Sequence, residues 1–97
     1  MITRIVRLSF DPQHIETFLS VFAESKNDIR AFEGCEYLAL MRDQDQPNVY
    51  YTHSKWLSDE ALQEYRKSPL FQTTWAKTKI LFNDKPLAYS LRTLEVV

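Results

Sequence analysis

Along residues 2–10, ITRIVRLSF, apolar side chains fall on alternate positions, with Ile2, Val6, Leu8 and Phe10 on one side and Thr3, Arg7 and Ser9 on the other. Arg4 and Ile5 exchange places within that pattern. A period of two predicts a strand. From residue 15 the spacing lengthens, and Ile15, Phe18, Leu19 and Phe22 trace the apolar stripe of a helix that continues to Ile29. Asp11-Pro12 supplies its start: a carboxylate that can cap free N–H groups, then a proline at a position where its missing N–H costs nothing. Gly34 closes this region, and CEYLALMR reads as a second strand. After the polar turn DQDQPN comes VYYTHSKW, rich in the aromatic and β-branched residues that strands favour. The two strands are expected to pair as a hairpin with a loop longer than the tightest type.

Ser58 is placed to cap a further helix. Pro69 forbids that helix from running on unbroken, because proline lacks an N–H and clashes with the preceding turn. Ser68 then caps a new helix with Pro69 at its first position, and Phe71, Trp75, Thr78 and Phe82 extend it to about Phe82. LAYSLRTLEVV closes the chain as a strand. The order is strand, helix, strand, strand, broken helix, strand. It predicts an α+β, ferredoxin-like fold: one domain over residues 1–97, a four-stranded antiparallel sheet with the helices on one face. Apolar residues lie on both parities of the strands, with Tyr37 and Met41 opposing Leu38 and Leu40, and Leu87, Tyr89 and Leu91 opposing Ala88 and Leu94. The face without helices therefore calls for cover, and a sheet-to-sheet homodimer is the expected assembly.

Composition removes several function classes. The 44% hydrophobic and 26% charged fractions are those of a globular domain. Twelve basic against thirteen acidic residues leave no basic stripe for a nucleic acid. No apolar run approaches the ~20 residues that span a bilayer, and the arginines of MITRIVRLSF occupy the place of a signal peptide's apolar segment, so no membrane partner and a cytoplasmic location are expected. A single cysteine, Cys35, permits neither an internal disulfide nor a multi-cysteine metal site, and it reads as a buried structural thiol. Two distant histidines lack ligand spacing, so no metal is expected. One glycine, Gly34, cannot build the loops that cradle dinucleotide or nucleotide phosphates, and no cofactor is expected.

The stretch EGCEYLALMRDQDQPNVYYTHSKWLSDEALQEYRKSPLF resembles the antibiotic biosynthesis monooxygenase superfamily, small ferredoxin-like proteins that pair into dimeric α/β barrels. The features that carry the resemblance are Gly34-Cys35 before the second strand, Pro47 in the hairpin, Trp56 closing the third strand, Asp59 and Glu60 opening the helix, and Ser68-Pro69 followed by Phe71. The resemblance implies cofactor-free oxygen chemistry on a small electron-rich aromatic, a phenol or quinol, held between helices and sheet. Two departures stand out. The superfamily frequently has histidine where Tyr65 stands, and the haem-degrading branch has a histidine near the position of Trp75 and an asparagine near that of Val6. Haem degradation by that arrangement is not expected.

Candidate site residues follow. On one straight helix Tyr65 and Trp75 would stand ~15 Å apart along the axis. The break at Ser68-Pro69 allows Tyr65 to fold toward Phe71 and Trp75, which lie one turn apart on a shared face. The three are either plain core or the wall of a pocket; tyrosine and tryptophan bring polar tips that a core of Leu and Ile would not need. Tyr65, Trp75 and His53 are the candidate catalytic residues, and Arg4, Trp56 and Phe71 the candidate substrate contacts. His53 shares a strand face with Tyr51 and Lys55, whereas Tyr50, Thr52, Ser54 and Trp56 share the other; either set can face the helices. Arg4 and Arg7 are each suited to stabilising a phenolate or oxygen anion, or to surface pairing. A non-catalytic dimeric module that binds or senses a small aromatic would present the same pattern.

Overall fold

The computed structural model describes residues 1–97. Strand β1 (Ile2–Ser9) leads through a 3-10 turn, Pro12–His14, into helix α1 (Ile15–Arg30). Strands β2 (Cys35–Arg42) and β3 (Val49–Trp56) form the hairpin, followed by helices α2 (Asp59–Lys67) and α3 (Pro69–Lys79) and strand β4 (Leu87–Leu91). The sheet runs β2-β3-β1-β4 with every pair antiparallel, the ferredoxin-like arrangement. No helix is long and apolar enough to cross a membrane.

The element boundaries follow from local chemistry. The Asp11 carboxylate accepts from the Gln13 N–H, but Pro12 opens a 3-10 turn and the α-helix begins only at Ile15. His14 sits in that turn half-buried, with its Nδ1 buried and unpartnered. The Ser58 hydroxyl caps α2 by accepting from Ala61 N–H, and Ser68 caps α3 by accepting from Phe71 N–H while donating to the Tyr65 carbonyl. Gly34 adopts φ +90°, and a Cβ there would stand 2.5 Å from Ala61 Cβ, so α2 docks directly on this turn.

Two expectations are corrected. Helix α3 ends at Lys79, not at Phe82: the chain turns so that Phe82 bridges to Phe10, and the Asn83 side chain accepts from Ser9 Oγ at 2.7 Å. Strand β4 stops at Leu91. Its partner β1 offers Thr3 opposite Leu91 and has almost no backbone left beyond it, so Arg92–Val97 extend without a ladder, Leu94 being 96% exposed.

The helices cover the face carrying Leu8, Tyr50, Thr52, Ser54 and Trp56. A bulge at Glu36 keeps Cys35 and Leu38 both on that side, because the register shifts between Cys35 and Tyr37. The opposite face leaves Tyr37, Met41, Leu87, Tyr89 and Leu91 40–50% exposed, the apolar surface that both-parity patterning predicts (individual values 41, 43, 43, 49 and 50%).

Candidate functional site

The core between sheet and helices is not continuous. One cluster gathers Leu8, Phe10, Phe18, Tyr50 and Leu81; another gathers Ile2, Cys35, Trp56 and Leu62. Between them lies a cavity of about 300 Å³. The β1–β3 pairing explains why. Leu8 faces Tyr50 at one end and Ile2 faces Trp56 at the other, but the pairs between them are Val6 with Thr52 and Arg4 with Ser54. Short or polar side chains in the middle of an inward row leave a space that the helices do not fill.

Aromatic rings wall the cavity in sequence. Trp56 stacks on Tyr65 with centroids 4.8 Å apart, Tyr65 meets Phe71 edge-on at 5.3 Å, and Phe71 lies nearly parallel to Trp75 at 5.8 Å. Trp75 then contacts Phe82 at 5.5 Å. The break at Ser68 makes this wall possible: α2 ends after Tyr65, and α3 restarts at an angle that returns Phe71 and Trp75 to the same space.

The polar groups of the wall divide by what already occupies them. Trp56 Nε1 donates to Ser54 Oγ at 3.0 Å, Thr78 Oγ1 to the Thr74 carbonyl at 2.8 Å, and Ser25 Oγ to the Val21 carbonyl at 2.9 Å. Tyr65 and Trp75 both line the cavity, and neither the hydroxyl of the one nor the indole N–H of the other makes a hydrogen bond within the protein. Burial, with a smaller contribution from nearby Cys35, raises the Tyr65 pKa to about 12. Tyr65 is therefore a neutral hydrogen-bond donor at physiological pH, not a base. Arg4 enters from β1, its Nη1 donating to Ser90 Oγ of β4 at 2.8 Å. Its pKa is lowered first by burial and then by the charge of Arg66, with Asp59 opposing. The cavity lining holds no carboxylate and no histidine, so its chemistry is that of cations and neutral donors stabilising an anion.

A family model for antibiotic biosynthesis monooxygenase matches residues 1–77. The chain belongs to that family. No curated protein matches it by sequence. Among solved structures, an antibiotic biosynthesis monooxygenase superposes with a TM-score of 0.92 at 17% identity, covering 98% of this chain and 100% of that one. The Rv0793 protein of Mycobacterium tuberculosis gives 0.90 at 21% identity, covering 98% and 96%. The PA3566 protein of Pseudomonas aeruginosa gives 0.85 at 21%, covering 97% and 94%. At these identities the likeness concerns the fold, and it extends past the family match to include β4.

Within this antibiotic biosynthesis monooxygenase fold, Tyr65, Trp75, Arg4, Trp56 and Phe71 converge on the cavity. His53 does not join them. It lies on the opposite face of the sheet, opposite Ile5 and Ala39 in the ladder, its ring 5.0 Å from Tyr37 and its Nε2 buried without a partner. Arg7 also points away and pairs with Asp84 at 3.7 Å, which assigns it the surface role of its two alternatives. Cys35 is buried, donates weakly to the Tyr37 carbonyl and has its pKa raised chiefly by burial, as suits a structural thiol. Sequence reasoning missed Arg66, Thr52, Ser54 and Thr74 as cavity residues. Thr52 and Ser54 were visible as polar members of the Trp56 row; Arg66 was hidden in the charged run QEYRK, where a solvated helix end is the ordinary reading.

Proposed function

We propose that this protein is a monooxygenase that acts on a small electron-rich aromatic of the phenol or quinol class, with the substrate itself supplying the electrons to O₂. One oxygen atom enters the substrate, which loses two hydrogen atoms and four electrons in all and leaves as a quinone, and the other oxygen leaves with those hydrogens as water. The observation that carries the reading is the convergence of neutral donors and arginines on a cavity walled by aromatic rings. A phenol donates electrons readily only as its anion, and shifting a pKa near 10 to neutrality takes about 4 kcal/mol of selective stabilisation. Arg4 can supply much of this by charge, aided by hydrogen bonds from the Tyr65 hydroxyl and the Trp75 indole N–H in a partly dry site. Phe71 holds the ring plane, and Trp56, buried behind it, backs Tyr65 by stacking on its ring. His53, on the far face, takes no direct part in this scheme.

The exposed apolar face of the sheet supports pairing of two chains face to face, as is typical of the family, and in such a pair His53 would lie at the interface. Sedimentation at several concentrations tests it; a monomer throughout would refute the pairing.

The test of activity is oxygen uptake with a panel of hydroquinones and polyphenols, compared with anaerobic incubation and with buffer alone. Uptake above the buffer rate, abolished in the double variant Tyr65→Phe/Trp75→Phe, is expected. A second reading, a binding module without catalysis, draws on the lack of any proton acceptor in the cavity lining. It is distinguished by thermal stabilisation on ligand addition with oxygen uptake at the buffer rate.

A further inference from the structure

Arg4 and Arg66 reach the cavity from opposite layers, Arg4 from the sheet and Arg66 from α2. Arg4 is half-buried, whereas Arg66 is exposed and so marks the open side. Neither forms an ion pair, since Arg7 with Asp84 is the one salt bridge of the chain. The partners they do have are neutral: Ser90 Oγ for Arg4 and Gln63 Oε1 at 3.3 Å for Arg66. Asp59 is the acid whose charge Arg4 feels, but it makes no ion pair with Arg4, and its carboxylate accepts from Gln63 Nε2 at 3.3 Å. Two cations thus line one apolar cavity, near enough for the charge of Arg66 to act on Arg4, and no carboxylate lines it with them. Each guanidinium presents a fork of five N–H donors, matched to a carboxylate, and most of those donors are unoccupied.

We infer that the cavity selects an aromatic acid: a hydroxylated one- or two-ring aromatic whose carboxylate sits at the Arg4–Arg66 end while its ring lies against Tyr65, Phe71 and Trp75. The volume agrees. A dry cavity of roughly 150 Å³ accommodates benzene, and this one measures about 300 Å³. The arginine sharing is relieved by an anion, which removes the repulsion between the two cations and gains charge-assisted hydrogen bonds from both. Ser90 holds the Arg4 guanidinium in place before ligand arrives, so little rotamer freedom is lost on binding.

This inference rests on the cavity assigned above as the substrate site, but its test does not require turnover. Binding of a hydroxynaphthoic acid and of its carboxamide, which has the same ring and no charge, is measured by calorimetry at low and at moderate salt. The acid is expected to bind about 10- to 100-fold more tightly than the amide, the range for hydrogen bonds to charged groups. Salt should narrow that gap. Arg66→Gln, at an exposed position, should reduce the preference with the fold intact, and Arg4→Lys should retain part of what Arg4→Gln removes. Equal affinity for acid and amide, failure of both to bind, or an acid preference unchanged in Arg4→Gln/Arg66→Gln would overturn the inference. Acid-selective binding without oxygen uptake would uphold it while refuting the monooxygenase reading. Turnover of neutral quinols with no preference for the acid would do the reverse.

Discussion

Around Phe10 the space between sheet and helices is solid; two cross-strand pairs further along the same rows it is hollow. Phe10 is wholly buried, with its ring 4.2 Å from Phe18, 5.3 Å from Phe82 and 6.1 Å from Tyr50. At Thr52 and Ser54 the same layer meets the cavity. The backbone is equally regular in both regions, and what differs is side-chain size along an inward row. A filled region is bound to stability, because removing atoms leaves a void that its neighbours close only partly. A hollow region is bound to ligand, and its residues are freer to change without unfolding the chain.

That contrast is broken most severely at Phe10. Phe10→Ala should cost about 3–5 kcal/mol in chemical denaturation, by the cavity it creates. A loss under about 1 kcal/mol would show that the solid pole is not the source of stability. Next in size is the pH dependence of Tyr65, which stands where the cavity meets the Trp56 cluster. Its phenol titrates at about 12 when folded and 10.0 ordinarily, so the folded state holds its proton more tightly. Stability is therefore undiminished below pH 10 and falls as pH rises from 10 toward 12, by up to roughly 2–3 kcal/mol. The difference between wild type and Tyr65→Phe across that window isolates it, and a flat difference would contradict the burial of the hydroxyl.

Gly34→Ala tests the second solid pole, where α2 docks on the Gly34 turn. Both the positive φ and the close approach of Ala61 Cβ oppose a side chain, with a cost of about 1–3 kcal/mol. The companion variant Ala61→Gly relieves the contact but not the backbone, so it should recover only part of the loss. The smallest expected change is in the hollow region. Trp75→Phe should move stability by less than about 1.5 kcal/mol, as a substitution that largely conserves packing, yet weaken aromatic ligands by removing the free indole N–H. A large stability loss with unchanged ligand affinity would make Trp75 plain core.

Much of the candidate site was legible before the fold was known. The Ser68-Pro69 break required two helices, and their angle brought Tyr65, Phe71 and Trp75 together as the spacing suggested. Phe82 misled because helical spacing persists through a residue that in fact leaves the helix to reach Phe10. Arg4 and Arg7 looked equivalent in sequence; three residues apart on a strand, they necessarily face opposite ways, and only the helices decide which of them is enclosed.

Caps, breaks and periodicity arise from interactions within a few residues, so the order of elements and the ferredoxin-like fold class were determined by the sequence alone. Which face of β3 the helices cover was not, because both faces carry apolar and aromatic side chains and either could have been buried. Tertiary packing resolved that choice by seating Trp56 and Tyr50 under the helices, and in doing so enclosed Thr52, Ser54 and Arg4 and left His53 outside. The cavity exists because side chains distant in sequence fail to fill a shared volume, a property that no local stretch of the chain contains.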